Sequence, residues 1–169
     1  MPEENPHRRS GVMMLWIAWL LILGGVWWAA DGWLARQANP NQRPAISAGG
    51  EVVLARNREG HYVADGEING HKVTFMVDTG ATTVALSSRL ARELDLKRGA
   101  AIQVDTANGV AVGYQTRLNS VRLGDIDVHE VSAVFSDRMM DDTVLLGMSF
   151  LKHVEFTQRE NQLILRGLY

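Results

Sequence analysis

The acid Asp78 stands at the end of the apolar run Val73-Thr74-Phe75-Met76-Val77 and is followed by Thr79, Gly80 and Ala81. A carboxylate closing a buried strand is costly unless its oxygens accept hydrogen bonds. A glycine two positions later lets backbone approach closely enough to supply one. Such a group can take or give a proton, so acid–base catalysis is the chemistry this spacing offers. A second segment, Val144-Leu145-Leu146-Gly147-Met148-Ser149-Phe150-Leu151, repeats the design of apolar strand, glycine and apolar helical turn without an acid. Aligning Gly147 with Gly80 sets Leu145 opposite Asp78 and Leu146 opposite Thr79, a degenerate two-fold repeat with one carboxylate. The plain alternatives are an Asx-turn at Asp78 and simple core packing at 145–151.

Other chemistries find little footing. Cysteine is absent, which excludes disulfides, thiolate metal sites and a cysteine nucleophile. His7, His61, His71, His129 and His153 form no H-E-x-x-H or other close pair. Ser149 lacks the second glycine of a nucleophile elbow. Asp141 and Asp142 are adjacent acids in a loop, ordinarily solvated, whereas a hard cation needs ligands at spaced positions. No metal and no cofactor is expected. A formal net charge of -2, without a basic run, gives no reason to expect nucleic acid.

The elements that must position Asp78 read as a small all-β domain, with short alternating segments broken by Gly, Asn and Asp. Strands are predicted at 62–68 and 73–77 around Asn69-Gly70, the dipeptide suited to a two-residue hairpin. A second hairpin is predicted at Asn108-Gly109, between 102–104 and 110–112. Further strands are predicted at 118–123, 126–134, 143–146, 154–156 and 162–168. One short helix begins at Ser87 or Ser88, either a plausible N-cap, and runs to about Leu94, with Leu86, Leu90 and Leu94 at four-residue spacing.

The N-terminal part is a different material, holding all five tryptophans, Trp16, Trp19, Trp27, Trp28 and Trp33. Residues 11–30 are 20 consecutive positions without a charge, between Arg8-Arg9 and Asp31. As a helix they span the ~30 Å hydrocarbon core. Arg8 and Arg9 predict a cytoplasmic tail at 1–10 and an exported remainder. A cleaved signal peptide is the competing reading, with a longer apolar stretch than usual and no A-x-A site. Residues 31–50 carry Pro, Asn, Ser and Gly and predict a flexible linker to a domain at 51–169, with a reach of ~20 Å across 38–50.

Taken jointly, Phe75-Met76-Val77-Asp78-Thr79-Gly80-Ala81, Thr106-Ala107-Asn108-Gly109 and Leu145-Leu146-Gly147-Met148-Ser149-Phe150-Leu151 resemble the retropepsin-like aspartic proteases, and more closely their bacterial membrane-anchored members. The similarity covers about 60–169. It implies an all-β acid-protease half-barrel with one or two short helices, preceded by a transmembrane helix, in a bacterial inner membrane with the domain in the periplasm. It implies that Asp78 is the catalytic acid, that Gly80 gives it a backbone N–H, and that Thr79 braces the two loops of a homodimer. Ala81 and the hairpin residues Ala107, Asn108 and Gly109 would then bind a protein or peptide substrate, the hairpin acting as a flap. Thr82 and Thr83 stand where viral members often carry an acid, and the flap tip is poorer in glycine than theirs. Viral members dimerise through terminal strands, for which 163–168 is the expected counterpart.

Metal-free peptide hydrolysis needs a base to activate water and an acid to protonate the carbonyl or leaving amine. Two carboxylates about 3 Å apart share one proton and serve both roles. With one Asp78 per chain, a two-fold homodimer is the route to such a pair. A membrane-tethered module that binds extended peptide without cutting it is the alternative, and such a module has no need of a buried acid.

Overall fold

The structure, a computed structural model, describes residues 6–106 and 109–168. It comprises two units, 1–37 and 38–169.

The first unit is the helix α1 (Pro6–Ala38). Its stretch Val12–Ala38 is long and apolar enough to cross a membrane, and none of it is buried against protein. The helix outruns the predicted span at 11–30. Asp31–Ala38, predicted as flexible linker, is its last two turns. Leu34, Ala35, Arg36 and Gln37 are good helix formers. Pro40 then stops the helix, because the residue before a proline is disfavoured in the α conformation.

The rest of the predicted linker is also ordered. Asn41 is buried and joins two strands. Its amide donates to Ala55 C=O (2.8 Å) and Val63 C=O (2.7 Å) and accepts from Ala55 N–H (2.7 Å). Asn39 donates to the Asp65 carboxylate. A short strand β1 (Ala45–Ile46) follows, paired with β2 (Val52–Ala55). Buried asparagine keeps its hydrogen-bonding capacity filled, and here the partners are strand backbone that composition alone does not reveal.

The domain is mostly β. Seven strands form one sheet in the order β3 (Val63–Ile68), β4 (His71–Val77), β9 (Thr143–Leu146), β5 (Val84–Ser87), β8 (Ile126–Ser136), β7 (Gly109–Leu123) and β6 (Ala101–Thr106). An additional pairing of β3 with β7 closes much of this sheet on itself. A four-stranded antiparallel sheet runs β1-β2-β11-β10, with β10 at Val154–Arg159 and β11 at Gln162–Gly167. The core between them is apolar, with Phe75, Phe150, Leu86, Leu118, Leu146 and Leu165 fully buried.

Asn69 (φ 51°) and Gly70 (φ 80°) make the expected tight turn between β3 and β4. The expected helix is present as α2 (Ser88–Glu93), and Ser87 caps it by accepting from the Leu90 N–H at 3.1 Å. A second short helix, α3 (Met148–Leu151), follows Gly147. Three features differ from expectation. Strand β5 intervenes between the Asp78 loop and α2, its residues Val84-Ala85-Leu86-Ser87 being too few to show a period. The strands predicted at 110–112 and 118–123 are one 15-residue strand, β7. Gly109 (φ 97°) pairs with Thr106 as the first residue of β7 rather than serving as the second turn residue. Ala107 and Asn108, also expected to bind substrate, lie outside the described residues.

Candidate active site

The order β4-β9-β5 builds the site. Strands β4 and β5 are consecutive in the chain yet do not pair, because β9 lies between them, parallel to β4 with Val77 beside Leu146. Residues 78–83 are the connection that must pass over the end of β9. Asp78 is thereby lifted out of the sheet at a strand terminus, where its backbone N–H still donates to Leu146 C=O (3.2 Å).

The loop closes on itself through the acid. Gly80 N–H donates to Asp78 Oδ1 at 2.8 Å, and Ala81 N–H to Asp78 C=O at 3.3 Å. Asp78 is half-buried, while Thr79 and Gly80 face solvent. Among the described residues the second carboxylate oxygen accepts no hydrogen bond, so one oxygen is held and the other is offered outward.

The repeat without an acid is the loop's foundation. A Cβ at Gly147 would fall 2.3 Å from Thr83 C=O and 2.6 Å from Ala81 C=O, so only glycine lets the two segments touch. Met148 N–H donates to Ala81 C=O (2.8 Å) and Ser149 N–H to Thr82 C=O (3.1 Å). The Ser149 hydroxyl accepts from Val84 N–H (3.0 Å) and donates to Ser132 C=O (2.7 Å), tying β5 to β8. Ser149 is therefore a brace, a role that its place as the lone hydroxyl in an apolar run could have signalled. Asp142 pairs with Arg89.

Asp78, Gly80 and Ala81 line an open cleft of about 1430 Å³ whose walls include Ile102 and Val104 of β6 and Val134 of β8. Carboxylate and hairpin thus face one space large enough for an extended peptide rather than for a small ligand alone. Leu145, the counterpart of Asp78 in the repeat, also lines it.

A β domain with one such acid in a cleft between loop and hairpin defines the class of acid-protease domains. The family described as "gag-polyprotein putative aspartyl protease" matches residues 64–153. The crystal structure of a retropepsin-like aspartic protease from Rickettsia conorii is 32% identical, with a TM-score of 0.57, and the match covers 70% of this chain and 91% of that one. An uncharacterized protein of a Sinorhizobium species is 33% identical over 120 residues, covering 69% of this chain and 52% of its own length. An uncharacterized Rickettsia prowazekii protein is 33% identical over 119 residues, covering 69% and 51%. The chain therefore spans about half the length of these curated relatives. It belongs to the retropepsin-like aspartic protease family.

Proposed function

We propose that this chain is an aspartic endopeptidase whose active site is completed by a second copy of itself, two Asp78 carboxylates sharing one proton across a two-fold axis. The observation that carries this reading is the state of Asp78. One oxygen is fixed by Gly80 at 2.8 Å, the other is free, and the flanking Thr79 and Gly80 are exposed. A structural Asx-turn needs no open second oxygen in a peptide-sized cleft. In the paired site one carboxylate takes a proton from water while the other, protonated, gives its proton to the scissile carbonyl. Thr79, exposed beside the acid, would meet its counterpart across that axis. Ala81, Gly109 and the hairpin residues Ala107 and Asn108 hold the peptide. Residues 12–38 anchor the enzyme in a membrane, with Arg8 and Arg9 on the cytoplasmic side and the domain exported, in a bacterial inner membrane facing the periplasm.

The test is mass spectrometry of mixed peptides incubated with the full chain in detergent micelles from acid to neutral pH, beside Asp78→Asn. Cleavage is expected from the parent alone, rising on the acid side of neutrality where the pair holds its single proton, and falling by at least ~10³-fold in the variant because both halves of the dyad are lost together. Equal cleavage by the two proteins would remove Asp78 from the chemistry. Silence from both, with the domain folded and paired, would leave a peptide-binding module.

A further inference from the structure

The cleft carries fixed charge apart from Asp78. Its lining includes Asp95, Lys97, Arg98 and Arg117. Arg117 lies 3.5 Å from Glu130 and is partly answered by it. Arg98 is different. Its guanidinium lies 3.4 Å from the centroid of the Tyr114 ring, and among the described residues no carboxylate pairs with it. Tyr114 in turn packs against Phe135, with ring centroids 5.7 Å apart. The backbone beside Arg98 is strapped down. Gly99 N–H donates to Gln115 C=O (2.8 Å) and Gln115 N–H to Ala100 C=O (3.0 Å). The approach is so close that a Cβ at Gly99 would fall 2.7 Å from Gln115 C=O.

These observations describe a cation placed in advance. A guanidinium stacked by one face on an aromatic ring keeps its edge N–H donors free, and that planar fork matches a carboxylate. The stacking also removes rotamer freedom that a flexible side chain would otherwise lose on binding. We propose that Arg98 is a specificity-determining residue that reads a carboxylate on the bound chain, so that the preferred substrates are segments with a glutamate or aspartate seated where Arg98 lines the cleft, its guanidinium backed from behind by Tyr114. This rests on the cleft being the peptide site but not on Asp78 cutting what it holds.

The two are separated by measuring binding without turnover. The full-length Asp78→Asn protein in detergent micelles is offered a peptide library with randomised central positions, and retained peptides are identified by mass spectrometry. With Arg98 present, Glu and Asp are expected to be enriched by about fivefold over Gln and Asn, near the upper end for a solvent-exposed ion pair. The enrichment should decline as salt is raised. Arg98→Gln should abolish it, Arg98→Lys should keep part of it, and Arg98→Glu should enrich Lys and Arg instead. Retention of peptides without acidic enrichment, or enrichment unchanged in Arg98→Gln, overturns the proposal while leaving the peptidase reading in place. Acidic enrichment in a protein whose parent cuts nothing supports it and removes the peptidase reading alone.

Discussion

At the scale of single residues, two small ones do as much as the acid to create the site. Gly147 has no positive φ to explain it; its reason is space, since the carbonyls of Thr83 and Ala81 occupy the room a side chain would need. Replacing Gly147 with alanine forces backbone apart under the Asp78 loop, and overpacking of this kind costs roughly 1–3 kcal/mol. Gly147→Ala is expected to lower the denaturant midpoint without changing its slope, and to reduce peptide cleavage by more than the loss of folded protein accounts for. Unchanged stability in urea would mean that the loop moves aside freely and does not depend on this contact. Ser149, by contrast, bridges β5 and β8 with two hydrogen bonds and acts on the site only through the strands it holds. The contact of Gly80 N–H with the Asp78 carboxylate was legible in the sequence, because an acid ending a strand needs a donor and glycine two residues on lets backbone approach. The lone hydroxyl of Ser149 signalled a polar role, but its partners Val84 and Ser132, like the Tyr114 ring under Arg98, were not legible, because each lies in another segment of the chain.

At the scale of elements, the terminal strand is the instructive case. Residues 163–168 were expected to pair two copies, yet over Gln162–Leu165 β11 has both edges filled, by β10 on one side and β2 on the other, and only Arg166 and Gly167 lack a β2 partner. Leu163 and Leu165 face the core. Of the two edge strands, the two-residue β1 and the six-residue β10, the longer open edge is β10, whose residues beyond Val154 are exposed, Phe156 among them at 42%. An unpaired row of N–H and C=O groups invites another strand. Antiparallel pairing of two β10 strands about Thr157 sets Glu155 opposite the partner's Arg159, twice by symmetry. In the proposed dimer, Glu155→Arg alone is therefore expected to weaken pairing by about tenfold, two like-charge contacts of roughly 0.7 kcal/mol each. The double exchange Glu155→Arg with Arg159→Glu is expected to restore it. Sedimentation equilibrium reads both, and an unchanged dissociation constant in the single variant would place the contact elsewhere. Alternation and Asn-Gly turns made most strands legible in the sequence. They said nothing of which edge stays open, since the order β1-β2-β11-β10 joins β2 and β11 from opposite ends of the domain.

At the scale of the whole chain, the start of the domain reads differently in three dimensions than in composition. Pro40, Gln42, Arg43 and Pro44 look like linker chemistry, yet Asn41 among them connects β2 of one sheet with β3 of the other. Asp65 N–H adds a bond to Asn41 C=O at 3.1 Å, and the Asp65 carboxylate collects Asn39 and Thr74 (2.9 Å). The domain thus begins at about Ala38 rather than at Glu51, and a chain shortened to Glu51 loses β1 and the Asn41 amide and leaves Ala55 and Val63 without the bonds Asn41 makes to them. Leaving buried Val63 C=O and its neighbours unpaired costs about 1–3 kcal/mol for each group that water cannot reach. A domain starting at Ala38 is accordingly expected to melt several degrees above one starting at Glu51, with Asn41→Ala in the longer form reproducing most of the difference. Limited proteolysis of the full chain should find 39–46 protected in the parent and cut in Asn41→Ala. Equal melting temperatures for the two lengths, with early cutting at 39–46 in the parent, would return this segment to the status of a tether.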